Sequence, residues 1–121
     1  MERQSKNEKL LQYFKDICRI PRQTGDEEAI SQYLLDFAKA RGLQAERDAH
    51  HNVLIRKPST IPGYKGPTVI VQGHMDIVYE KSADSTHKYE DGIHVVEEDG
   101  YLKSADGTSL GADNGLAVAY A

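Results

Sequence analysis

Apolar residues recur at helical spacing near the start of the chain. Leu10, Leu11, Phe14, Ile17 and Cys18 fall on one face behind a capping-box pair, Ser5 and Glu8, which predicts a helix from about Lys6 to Arg19. Pro21 prevents its continuation, and "RQTGDEE" supplies a turn and acidic residues for a second helix start. Ala29, Ile30, Tyr33, Leu34, Phe37 and Ala38 then form a second apolar stripe, with Gly42 placed as its stop. Beyond it the period changes. "LQAERDAHHNVLIRKP" reads as two short strands around a polar turn, "PSTIPGYKGP" as a loop, and Thr68 to Gln72 as an apolar strand covered on both faces. Glu90 to Ser104 reads as a hairpin turning at "EEDG". From Asn114 the apolar residues Leu116, Ala117, Val118, Ala119 and Ala121 begin a helical or buried segment, with no cap, glycine stop or charged last turn after it.

These elements alternate in the manner of an α/β protein: two N-terminal helices packed on an incomplete, mostly parallel or mixed sheet. A chain of 121 residues suffices for one domain with a core. The abrupt apolar ending leads us to expect the N-terminal portion of something larger. Leu116 to Ala121, if left uncovered, would favour self-association or a homo-oligomer.

Composition removes several function classes. The formal charge of −4, from 15 basic and 19 acidic residues, is dispersed and offers no basic stripe to a phosphate backbone, so nucleic acid is not expected as a partner. No apolar run approaches the ~20 residues that span a bilayer, so no membrane association is expected. Cys18 is the only cysteine, and Met1 is followed by a polar stretch without the apolar run of a secretory signal. A cytoplasmic protein is the expectation.

The chemistry-bearing residues lie at element ends. In "TVIVQGHMDIVYE" an apolar run stops at Gly73 and is followed by His74 and Asp76. In extended backbone, residues two apart project to the same side with Cα atoms roughly 6–7 Å apart, so the two can act on one site. A neutral imidazole is a good zinc ligand, and a carboxylate on its other ring N–H fixes the tautomer. An incidental His and Asp on a surface turn would have the same spacing. "SLGADNG" places Asp113 between Gly111 and Gly115 ahead of an apolar segment. There Asp113 or Asn114 could simply cap a helix, but a carboxylate can also bridge two cations, and paired metals make an efficient hydrolytic centre.

Together, "NVLIRKPSTIPGYKGPTVIVQGHMDIVYEK" and "DGTSLGADNGLAVAYA" resemble the N-terminal catalytic region of the aminoacyl-histidine dipeptidases. These enzymes, also called β-alanyl-histidine or Xaa-His dipeptidases, belong to the dinuclear zinc aminopeptidase and carboxypeptidase superfamily. "IPRQTGDEEAI" is similar to the segment joining the first two helices in that family. The resemblance covers essentially the whole chain. It implies His74 as a ligand of one zinc, Asp76 as the catalytic-site aspartate that orients it, and Asp113 as the carboxylate bridging two zinc ions. It also implies hydrolysis of Xaa-His dipeptides by metal-activated water, with a short peptide as substrate.

Family members run to several hundred residues. Residues 1–121 would thus be the N-terminal portion of a zinc peptidase catalytic domain, with the general base, the remaining ligands and the lid domain elsewhere, and such a chain alone should be inactive with zinc weakly held or absent. An aminoacylase or tripeptidase on the same scaffold, and a non-catalytic module with vestigial metal motifs, are the alternatives. Within the chain, Glu27 with Glu28 and Glu97 with Glu98 are expected to be solvated surface. His50, His51, His87 and His94 are expected in polar loops or at strand edges, and Cys18 in the core.

Overall fold

The computed structural model describes residues 6–121. The first helix, α1, spans Lys6–Cys18 and turns Phe14, Ile17 and Cys18 inward. Ser5, the expected cap, lies outside the described residues. The second, α2, spans Glu28–Ala40 and buries Ile30, Ser31 and Ala38. It stops as the glycine predicts. Gly42 takes φ +68°, its N–H donates to Lys39 O at 3.1 Å, and the Leu43 N–H donates to Ala38 O at 2.9 Å. These paired bonds satisfy carbonyls that a helix end otherwise leaves open.

Two antiparallel hairpins follow. Strands β1 (Gln44–Arg47) and β2 (Val53–Arg56) pair with Ala45 opposite Ile55, and α2 packs on both. Their turn is organised by Asp48, whose Oδ1 accepts the backbone N–H groups of His50 and Asn52, each at 2.9 Å. Strands β3 (Val95–Glu98) and β4 (Tyr101–Ser104) pair with Glu98 opposite Tyr101. The two turn residues, Asp99 and Gly100, both have positive φ, as a two-residue hairpin of matching twist requires. The expected hairpin is thus shorter than Glu90 to Ser104, because Tyr89–Asp91 forms a 3₁₀ turn instead. The last helix, α3 (Ala112–Tyr120), packs against α1.

The core joins these pieces. Phe14 and Cys18 of α1 meet Ile77 and Ile93, with Val95, Leu102, Leu110 and Ala119 packed around them. Ala119 is therefore covered, whereas Leu116 and Tyr120 remain 40% and 77% exposed. The edge-to-face pair Tyr13 and Phe37, with ring centres 5.4 Å apart, ties α1 to α2.

The molecule is mixed α/β, with its sheet present as two small antiparallel hairpins. The parallel component reduces to one bridge, Gln23 with Ile77. Thr68 to Gln72 does not form the expected buried strand. No described strand pairs with it, and Val69, Ile70 and Val71 are 80%, 83% and 67% exposed. An apolar run becomes a covered strand only where neighbours supply hydrogen bonds and a facing layer.

Two glycines separate backbone strain from crowding. Gly25 and Gly92 both have positive φ, but a Cβ on Gly25 meets nothing within 4 Å, whereas one on Gly92 would lie 2.2 Å from Arg19 O. Gly25→Ala should destabilise by about 1–3 kcal/mol for the backbone conformation alone. Gly92→Ala should cost clearly more, because the backbone of residue 19 must also move. Urea unfolding of both variants checks this, and equal losses would show that the approach of Gly92 to Arg19 yields easily.

Candidate metal centre

Pro21 ends the first helical run, and the chain then runs extended beside residues 75–77. The Ile77 N–H donates to Arg22 O at 2.9 Å and the Thr24 N–H donates to Ile77 O at 3.1 Å. This lays Thr24 beside Asp76, and the Thr24 hydroxyl donates to Asp76 Oδ2 at 2.6 Å. Tyr89 secures the same loop: its hydroxyl accepts the Gln23 N–H at 2.9 Å and donates to Asp26 Oδ2 at 2.7 Å. Arg22 itself is 1% exposed, with its guanidinium donating to Met75 O at 2.9 Å and Gly111 O at 3.1 Å.

On this base the structure brings His74, Asp76 and Asp113 together. His74 Nδ1 lies 2.9 Å from the Asp76 carbonyl oxygen and 3.3 Å from Asp76 Oδ1. A carbonyl can only accept, so Nδ1 carries the hydrogen, and the backbone of Asp76 orients the ring more closely than its carboxylate does. His74 Nε2 faces Asp113 Oδ1 at 3.1 Å, across 39 positions of sequence. Asp113 is not the helix cap. Gly111 holds that position in left-handed geometry without any side-chain cap bond, and Asp113 departs from helical angles, with the Asp113–Asn114 peptide cis. Gly73 permits the approach of α3, since a Cβ there would stand 3.1 Å from the Asn114 side-chain nitrogen and 3.4 Å from Ala117 Cβ.

The electrostatics follow from these contacts. Donation of Nδ1–H to the Asp76 carbonyl is the largest influence and raises the His74 pKa; desolvation opposes it, and the carboxylates of Asp113 and Asp76 add to the rise. The Thr24 hydroxyl, with help from backbone N–H and His74, keeps Asp76 below the usual carboxylate range. Side-chain exposure rises outward, from 29% at Asp76 through 50% at His74 to 96% at Asp113. Asp113 also lines a shallow groove with Val71, Gln72, Asn114, Ala117 and Tyr120.

The donor set suits a metal in kind. With Nδ1–H fixed, the Nε2 lone pair points at the spot where an open carboxylate waits, and a cation between them would replace the proton that Nε2 otherwise carries. In number the set is partial: among the described residues no group of three or more His, Cys, Asp or Glu side chains is arranged to hold a metal ion. The other histidines stand elsewhere. His50 and His51 belong to the β1–β2 turn, and His94 pairs with Asp106 at 2.8 Å. His87, expected in a polar loop or at a strand edge, is instead buried: Nε2–H donates to Gly92 O at 2.5 Å, and in the neutral ring the Tyr79 hydroxyl donates to Nδ1 at 2.7 Å. Glu28, Glu97 and Glu98 are exposed and Glu27 half-buried, at a helix start and a hairpin. Arg22 and Thr24 escaped the sequence reading, because "RQT" signals a turn and its partners lie 52 to 89 positions away.

No family model matches the chain. It is 38% identical over 112 residues to the cytosol non-specific dipeptidase of Escherichia coli K12, a match covering 93% of this chain and 23% of that protein. Its fold is similar to the crystal structure of aminoacylhistidine dipeptidase from Vibrio alginolyticus, with a TM-score of 0.87, 36% identity, and coverage of 94% of this chain and 23% of that one. The resemblance to these dipeptidases seen in the sequence therefore holds over nearly the whole chain, and the chain spans about a quarter of their length.

The His74 contacts set a pH dependence. In metal-free protein the His74–Asp113 ion pair should be complete below the ordinary histidine pKa of about 6.5 and be lost as pH rises through the raised value. Asp113→Asn should lower the His74 midpoint. Titration of the ring resonances by NMR checks both, and an unchanged midpoint in Asp113→Asn would show that the two side chains do not interact in solution.

Proposed function

We propose that this chain is the N-terminal part of the catalytic domain of a metallodipeptidase, in which His74 and Asp113 hold metal and Asp76 orients His74. The observation that carries this reading is the meeting of His74 Nε2 and Asp113 Oδ1 at 3.1 Å while Nδ1 is committed to Asp76. That is how a protein presents one imidazole lone pair and one open carboxylate to the same ion. Zinc is the metal proposed, and a pair of zinc ions would act as Lewis acids on the scissile carbonyl and its attacking water.

The chain's own residues supply the platform. Asp76, ionised and held by Thr24, keeps its carbonyl and carboxylate turned to the ring and so fixes the tautomer. Asp113 has its carboxylate free to bridge, because the bent start of α3 carries it away from the helix and toward His74. Each of the three is thereby committed to binding or orientation, which assigns proton transfer to residues outside this group. The relatives are both named as dipeptidases, and this supports a short peptide as substrate. A preference for Xaa-His is the finer proposal, supported by the aminoacylhistidine dipeptidase likeness and weighed against by a relative named non-specific. A cytoplasmic location accords with the cytosolic relative, and among the described residues no helix is long and apolar enough to cross a membrane.

The test uses the protein at its natural length, assayed on dipeptides with and without a C-terminal histidine, before and after chelation. Zinc-restored hydrolysis is expected, and full activity in metal-free protein defeats the reading. Asp113→Ala should remove bound metal and activity together. Asp76→Asn should retain most metal while losing about 10- to 100-fold in activity, the usual effect of disturbing a ligand's partner. Equal metal loss in both would make Asp76 a direct ligand.

The 121-residue chain by itself should bind zinc weakly and turn over no dipeptide, because catalytic zinc generally takes about three protein ligands and two are present here. Calorimetric titration with zinc checks this. Micromolar or tighter binding with turnover would require ligands beyond His74 and Asp113.

A further inference from the structure

Arg22 is the most deeply buried charged side chain described, at 1% exposure, and it makes no ion pair among the described residues. Burial lowers its pKa, yet a guanidinium keeps its charge in proteins, so the fold carries a costly buried cation. Filling space does not require this, since methionine would occupy a similar volume without the charge. The guanidinium does something methionine cannot. Nη1–H donates to Met75 O at 2.9 Å and Nη2–H to Gly111 O at 3.1 Å.

Those two carbonyls flank the metal centre. Met75 stands between His74 and Asp76, and Gly111 opens the helix whose first turn bears Asp113. The segments are far apart in sequence; Ser109 ties them together further out through Val78 O and Glu80, and beside the site itself a rigid planar fork with a donor on each side fixes their spacing. The surroundings are shaped for it. A Cβ on Gly111 or Gly115 would come within 2.9 or 2.6 Å of Nη2, so the helix start can approach only because both positions are glycine. Gly111 O also accepts the Gly115 N–H at 3.1 Å, which places the fork within the hydrogen bonding of the helix start itself.

We propose that Arg22 is a positioning residue of the metal centre: its fork between Met75 O and Gly111 O sets the separation of His74 from Asp113, so that both reach one metal. This rests on the metallodipeptidase reading above. Lysine at this position keeps the charge but cannot hold two carbonyls at a fixed spacing.

The test compares wild type, Arg22→Lys and Gly115→Ala in the protein at its natural length. Zinc affinity is measured by chelator competition, kcat and KM on a dipeptide, and thermal unfolding on the metal-free form. Arg22→Lys should fold and lose about 10- to 100-fold in zinc affinity. With zinc in excess its kcat should fall while KM changes by less than about twofold, as expected when transition-state geometry rather than substrate binding suffers. Gly115→Ala, which keeps the charge but crowds Nη2, should move both quantities the same way. A variant with a lowered Tm but wild-type zinc affinity and kcat would make Arg22 a packing residue and overturn the proposal. If Arg22→Lys does not fold, Gly115→Ala decides by the same outcomes, and failure of both to fold overturns the proposal by making Arg22 a requirement of the whole fold. Wild-type protein without zinc affinity defeats the underlying reading, and this one with it; wild-type affinity in the folded variants defeats this one alone.

Discussion

A buried cation bonded to two backbone carbonyls holds the centre of this molecule. Arg22 sits where the end of α1, the residue 75–77 segment and the start of α3 converge, and neither of the last two can shift relative to it without breaking one of its hydrogen bonds. The neighbouring main chain reinforces it through the Gln23–Ile77 bridge and the Tyr89 hydroxyl. Because the cation makes no ion pair among the described residues, its carbonyl partners are obligatory: losing either would leave a buried charge less well solvated than water would make it.

The candidate metal centre grows outward from that anchor. Thr24 holds Asp76, Asp76 holds His74, and His74 faces Asp113, with exposure rising at every step. The inner members of such a chain are fixed by protein contacts, while the outer carboxylate is left available to a ligand from solution. Rigidity behind and access in front is the arrangement that presents a ligand in a defined geometry.

The surface beyond Asp113 has a different character. Val69, Ile70 and Val71 run exposed, with Val71 sharing a groove with Leu116 and Tyr120, although the chain at that point leads directly into the ordered site. Consecutive exposed apolar residues on an extended segment point to both faces, so a single covering layer cannot bury them all. The relatives of this chain are about four times its length, and the likeness in fold extends over 94% of it.

Local pattern determined most of the elements. Periodicity placed α1 and α2 within a residue or two, Gly42 predicted the stop of α2, and a DG turn predicted the β3–β4 hairpin, because each depends on bonds within a few positions. Residue type and setting singled out His74, Asp76 and Asp113. What sequence could not determine was any property requiring a distant partner. Thr68 to Gln72 carries the composition of a covered strand, but pairing decides whether it becomes one. His87 looked like a loop histidine until Tyr79 and Gly92 enclosed it. Arg22 and Thr24 lie in what reads as a turn, and only the tertiary structure carries Met75, Asp76 and Gly111 to them. Short-range periodicity is written in adjacent residues, whereas the satisfaction of a buried charge is settled by whichever backbone the fold brings alongside it.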